Sequence, residues 1–227
     1  MNALKIFVFI LLCATFASCG VSNRMTKGEQ YAKFYEENPV VLLVMPPINN
    51  TTSVDAKEFL YTSISRPLVE KGYYVISPHL AMDIFKNESA YDAELFIDQD
   101  VSQFGQVFGA DAVIFSEILT WKKVGVGIET DLKYTIKSTH TNEVVFERTC
   151  NFFLDLSVQN TGGGLVGALV AATATLINTA VTDNIVAARK CNSYVFQDLP
   201  RGKYDPLYQK DKEEDALDKE LHRSINR

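Results

Sequence analysis

The sequence predicts an α/β fold: a mixed sheet with a parallel β-α-β portion followed by an antiparallel meander, and helices packed on it. Three observations predict it. Val40 to Met45 is an unbroken apolar run, as in a strand covered on both faces. Leu132, Tyr134 and Ile136 alternate with Lys133, Thr135 and Lys137, as in a strand with one face in water. Between these patterns, apolar residues at helical spacing separate the early strands, so strand–helix–strand occurs twice and predicts right-handed crossovers with parallel pairing.

The elements follow in order. Residues 20–38 are polar apart from Tyr31, Phe34 and Tyr35, and read as a tether leading into a short helix. The first strand stops at Pro46-Pro47, and Ile48 to Ser53 reads as a loop of turn and cap formers. Leu60, Ile64, Pro67 and Leu68 then share one helical face, which Pro67 must kink or break and Gly72 ends. Tyr73 to Ser77 is the second strand, and Pro78 opens a helical turn through Leu80, Ile84 and Phe85. Asp100 is the expected N-cap of a helix with Val101, Phe104, Val107 and Phe108 on its apolar face and Gly109 as its stop. Ala112 to Leu119 is the third strand.

After Trp121 the period becomes two. A turn at His140 to Glu143 returns the chain through Val144, Phe146, Cys150, Phe152, Leu154 and Leu156, which share a face that Arg148 interrupts. From Gly162-Gly163-Gly164 the chain enters an apolar stretch, Leu165 to Val181, in which Thr173, Thr175, Asn178, Thr179 and Thr182 recur. A packed helix is expected there rather than a membrane-spanning one. Gly163, Gly167 and Ala171, four apart, form a small-residue stripe on which an internal element or a second copy could pack closely. Past Asn192 the chain reads as an irregular segment. Residues 210–227 read as a charged tail, either a solvated helix or disordered. The expected organisation is a signal peptide at 1–18, a lipidated tether at 19–38, a single α/β domain at 39–209 and that tail.

The signal peptide rests on Lys5, the apolar run Ile6 to Phe16, and Ala17-Ser18 before Cys19. The pattern resembles the bacterial lipobox, with Phe16 where Leu is usual, and makes Cys19 the acceptor of the acyl chains that anchor the protein to the membrane. About eleven apolar residues are too few to span ~30 Å of hydrocarbon. Several acyl chains anchor stably, and the folded body need not touch the bilayer. Gly20 follows the cysteine, not an Asp that would retain the protein at the inner membrane, so the expected location is the outer membrane facing the periplasm, with the cell surface as the alternative.

Cleavage before Cys19 leaves 209 residues with 21 basic and 28 acidic side chains, and no concentrated basic stripe. Nucleic acid is therefore not an expected partner. Cys13 leaves with the signal, so Cys150 and Cys191 are the thiols that remain beside the acylated one. They either pair, closing a loop of about forty residues worth ~3–4 kcal/mol, or stay as two buried free thiols. His79, His140 and His222 have no partners at metal-ligand spacing, and Asp92, Glu94, Asp98 and Asp100 read as a solvated acidic loop before a cation site. Gly125-Val126-Gly127 and Gly162 to Gly164 lack the context of a nucleotide-binding loop. No nucleophile motif is present, so no catalytic residue, no metal and no cofactor beyond the covalent lipid is expected.

Phe108-Gly-Ala-Asp-Ala-Val-Ile114 and Leu132 to Glu147 resemble the N-terminal-TolB-like domain of several envelope proteins. Among these are the curli secretion channel lipoprotein and a lipoprotein activator of penicillin-binding proteins. Gly162 to Val170, Thr182-Asp183 and Asn192-Ser-Tyr194 are similar to a family of bacterial outer-membrane lipoproteins of unknown biochemical function. The resemblance covers most of residues 39–210. It implies a non-enzymatic module that binds an envelope protein complex, linked to transport or secretion, and that could self-associate. A small-ligand or envelope-polymer binding lipoprotein is the alternative; a pocket lined by Tyr73, Tyr74 and Trp121 would mark it.

Overall fold

Strand β1 (Val41–Val44) is apolar throughout because both of its faces are covered: Leu42 and Val44 are buried on one side, Leu43 and Met45 beyond it on the other. The computed structural model describes residues 24–87, 91–125, 127–155 and 184–226. In it, β1 lies between β3 (Tyr74–Val75) and β4 (Ala112–Val124), parallel to both. β5 (Gly127–Ser138) and β6 (Val144–Asp155) continue antiparallel from β4, as the alternating pattern requires. With β2 (Ile48–Asn49) beside β4 and β7 (Glu220–Asn226) beside β6, the mixed sheet runs β3-β1-β4-β5-β6-β7.

Helices cover the two faces unequally. One face carries α1 (Lys27–Gln30), α2 (Ala32–Glu37), α3 (Val54–Ser63), α4 (Ser65–Glu70) and α7, described over residues 184–195. The other carries α5 (Pro78–Asn87), a 3-10 turn (Ala93–Leu95) and α6 (Ser102–Phe108), which cover β1 and the adjoining part of β4. The break expected at Pro67 separates α3 from α4 at Ile64. Pro67 sits in the first turn of α4, where an N–H has no intrahelical acceptor to lose. Leu60, Ile64 and Leu68 are fully buried on the predicted face. Among the described residues no helix is long and apolar enough to cross a membrane.

Several expectations are corrected. Ile48–Asn49, read as loop, is a short strand parallel to β4, and the Asn49 side chain then folds the following turn by accepting from Thr51 N and Oγ1. Val101 occupies the N-cap position of α6, while Asp100 caps from one residue earlier, its Oδ1 accepting from Ser102 N at 2.8 Å. Val144 leaves the inner face because β6 carries an extra residue, Val145, between the pairs Ile136–Phe146 and Lys137–Val144; the bulge reverses the alternation. A second bulge at Leu119 lets Ile118 and Trp121 share the inner face. Asn192 to Val195 continue α7 rather than starting the irregular segment.

The largest correction concerns the two ends. The tether does not extend to residue 38: Thr26 and Glu29 form a capping box that starts α1, and Tyr31 and Phe34 are buried in the core. The charged tail is neither a solvated helix nor disordered, because residues 220–226 pair in register along β6 as β7, and Asp211, Ala216 and Leu221 are buried. The two ends hold each other. Lys27 N donates to Glu214 O (2.8 Å), Gly28 N to Lys212 O (2.9 Å), and Ala216 N to Met25 O (2.8 Å).

Candidate functional site

The second helical layer encloses an aromatic groove. Ala81 and Phe85 of α5 face the sheet one turn apart, and α6 sets Val101, Phe104 and Phe108 against it at i, i+3 and i+7. Val107 falls beside that stripe and points outward, 70% exposed, which corrects its assignment to the buried face. Phe85, Phe96, Phe104 and Phe108 interlock, with Phe96–Phe104 centroids 5.3 Å and Phe85–Phe108 5.5 Å apart. Together with Ile84, Val107 and Gln103 they line an open cavity of about 490 Å³. Its chemistry is that of a receptor for apolar groups: one amide among aromatic and aliphatic walls.

On the opposite face lies a buried ionic cluster. Arg148, predicted to interrupt an apolar face, stays on it at 0% exposure. Its Nη2 donates to Asp198 Oδ2 (2.8 Å) and Tyr31 Oη (2.6 Å), and its Nη1 to Val195 O (3.1 Å). Asp198 also accepts from Tyr31 Oη (2.7 Å) and Leu217 N (2.9 Å). Lys27, likewise buried, reaches Glu214 at 2.6 Å, with Asp211 at 3.8 Å and Asp198 at 3.9 Å. Burial raises the Tyr31 phenol, with Arg148 opposing the rise. The Lys27 hydrogen bond holds the Glu214 carboxyl below its usual range. Lys71 is lowered to about 8 by burial and by the cations Arg201 and Lys27. Arg148 Nε and Asp211 Oδ1 have no hydrogen-bond partner among the described residues, while the remaining groups bond one another and the backbone, so the cluster latches α1, β6, α7 and the C-terminal segment together.

Cys150 and Cys191 are two buried free thiols and not a bridge. Cys191 Sγ sits 3.3 Å from Thr130 Oγ1. Burial raises both, Cys191 to about 12. Cys19 and the Gly163, Gly167, Ala171 stripe lie outside the described residues. Tyr73, Tyr74 and Trp121 do not gather into a pocket: Tyr73 Oη donates to Pro200 O, Trp121 Nε1 donates to Asn184 Oδ1, and Tyr74 is exposed on β3. Among the described residues no group of His, Cys, Asp or Glu is arranged to hold a metal ion. Ile84, Phe85, Phe104, Val107 and Phe108 are visible in the sequence as helix faces, whereas Phe96 follows the 3-10 turn and carries no such signal, and no local signal links α5 to α6.

Residues 29–199 match the family described as "Putative lipoprotein GNA1162-like". The curated relative "Putative lipoprotein NMB1124/NMB1162" of Neisseria meningitidis serogroup B is 26% identical over 187 residues, covering 81% of this chain and 86% of the relative. Among solved structures, lipoprotein GNA1162 from Neisseria meningitidis shares 23% identity at a TM-score of 0.47, covering 60% of this chain and 96% of that one. The PelC dodecamer from Paraburkholderia phytofirmans shares 14% identity at a TM-score of 0.39, covering 74% and 91%.

Proposed function

Because the chain belongs to the GNA1162-like lipoprotein family, we propose that it is a non-enzymatic adaptor of the cell envelope. Acyl chains on Cys19 hold it at the outer membrane, and its folded part docks a partner protein in the periplasm. The observation that carries this reading is the groove between α5 and α6, an aromatic concavity left open with Val107 exposed on its rim. Exposed apolar concavities of this kind receive the buried anchor side chains that dominate protein interfaces. The buried ionic cluster supports the same reading, since Arg148, Asp198 and Lys27 bind one another's elements together and hold the fold.

A small apolar ligand is the second reading, favoured by a volume within the ~300–1,000 Å³ of small-molecule sites. Crosslinking in cells separates the two. The tagged lipoprotein is compared with Cys19→Ala and Val107→Asp, and co-purifying envelope proteins are identified by mass spectrometry. A defined complex recovered with the parent chain and lost in both variants is the expected result. Recovery of the lipoprotein alone would sink the adaptor reading and turn the search to ligands extracted from the groove.

A further inference from the structure

The hydrogen-bonded body begins almost at the acylation site. Met25 O and the backbone of Lys27 and Gly28 are already bonded to the C-terminal segment. From Cys19 to Arg24 the chain has five peptide steps, which fully extended reach no more than ~18 Å. Granted the lipid anchor of the proposed function, on which this inference rests, so short a leash selects the part of the surface that meets the bilayer. We infer that the anchored protein lies against the lipid surface through the face built by α1, α2 and residues 203–210, leaving the aromatic groove turned away from the membrane.

Within that face, which also exposes Glu29 of α1 and Glu36 of α2, the loop 203–210 has the composition of a headgroup interface. Tyr204 and Leu207 stand outward at 67% and 46% exposure, flanked by exposed Lys203 and Lys210. Tyrosine and lysine are the side chains that settle at the water–hydrocarbon boundary, and lysine gains from anionic lipid. The loop is held in this pose rather than left to fold inward. Tyr204 N donates to Gly72 O (3.0 Å), Leu207 N to Asp205 Oδ1 (2.7 Å), and Gln209 Nε2 reaches Asn38 Oδ1 at 3.5 Å, at the end of α2. Asp205 is paired with Arg201 at 2.9 Å, which neutralises the acid nearest the apolar pair. Met25, 54% exposed, adds a further apolar side chain at the point where the leash enters. The acidic residues of the segment, Glu213, Glu214 and Asp215, come after Lys212 has crossed to α2 over the Tyr35 ring, and Glu214 is tied to Lys27. The groove belongs to the core cluster on the other face of the sheet, so the body of the protein stands between it and the lipid.

The test uses the full acylated chain in vesicles of phosphatidylethanolamine with one quarter phosphatidylglycerol. Leu207→Cys, Tyr204→Cys and Val107→Cys are labelled singly with the fluorophore NBD; native Cys150 and Cys191, 0% and 2% exposed, stay unlabelled in the folded protein. Flotation with the vesicles is measured first. The expected result is blue-shifted emission at 207 and 204, quenched by nitroxide lipid and protected from iodide, with the 107 probe open to iodide whether or not vesicles are present. Floated protein with all three probes equally open to iodide would overturn the orientation while leaving the anchor intact. Protein that does not float would overturn the anchor, and the orientation with it.

Discussion

Exchange of Arg148 for methionine tests the claim that an ion pair lies at the centre of the core. Arg148 and Asp198 are 0% and 2% exposed and meet at 2.8 Å. Without the guanidinium, Asp198 keeps the hydrogen bonds from Tyr31 and Leu217 and has Lys27 as its remaining cation, at 3.9 Å. Removing one partner of a buried pair costs ~3–5 kcal/mol, and the residual donors set the expectation at the lower end, about 3 kcal/mol. With a urea slope of about 2–3 kcal/mol/M for a chain of this size, the unfolding midpoint falls by roughly 1–1.5 M. The assay is urea denaturation of the mature chain carrying Cys19→Ala, followed by tryptophan fluorescence from Trp121. Adding Asp198→Asn removes the stranded charge but keeps an acceptor for Tyr31 and Leu217. The double variant is therefore expected to recover most of the loss, leaving about 1 kcal/mol of unmade hydrogen bonds. A single-variant shift below about 0.3 M, or a double variant as unstable as the sum of its parts, would refute the placement of Arg148 against Asp198.

Three further outcomes are expected. Gly72 has φ +86° and a Cβ there would lie 2.3 Å from Asp205 N, so Gly72→Ala should lower stability by at least ~2 kcal/mol; an unchanged melting temperature would contradict the contact. The native protein should give no thiol colour with Ellman's reagent at pH 8 and two thiols per chain in guanidinium, because Cys150 and Cys191 are buried and held protonated. The Cys191 contribution to stability is whole below its ordinary value of 9.0 and is lost as the pH rises toward about 12. Lys71 has the opposite sign. Its value falls from 10.5 to about 8 on folding, so the unfolded chain binds more protons between these limits and stability gains from this group as the pH rises through them. Lys71→Met should remove that rise, and parallel midpoint-versus-pH curves for the two proteins would count against it.

The early strands, the break before Pro67 and the stop at Gly109 were legible because each is set by a few consecutive residues. Val144 and Val107 were misplaced for reasons that periodicity does not carry. One extra residue in β6 reverses which side faces inward, and the seat of α6 on the sheet decides which of two adjacent apolar positions is covered. The C-terminal segment looks like a solvated tail in sequence because its charges find their partners only in the fold. Asp211 is buried near Lys27, and β7 completes a sheet edge that nothing near residue 220 announces.

By itself the sequence determined the local rules: the change from a buried parallel sheet to an alternating meander, and the points where helices start and stop. Tertiary structure alone decided where Arg148 finds its counter-charge fifty residues away, how Lys27 meets Glu214 across 187 residues, and that α5 and α6 enclose a groove. Period, caps and breakers act within one or two turns of chain, so they can be read in a line. The partner of a buried charge, or the open side of an apolar layer, is chosen by which distant surfaces exclude water together, and that follows only from the packing of the whole.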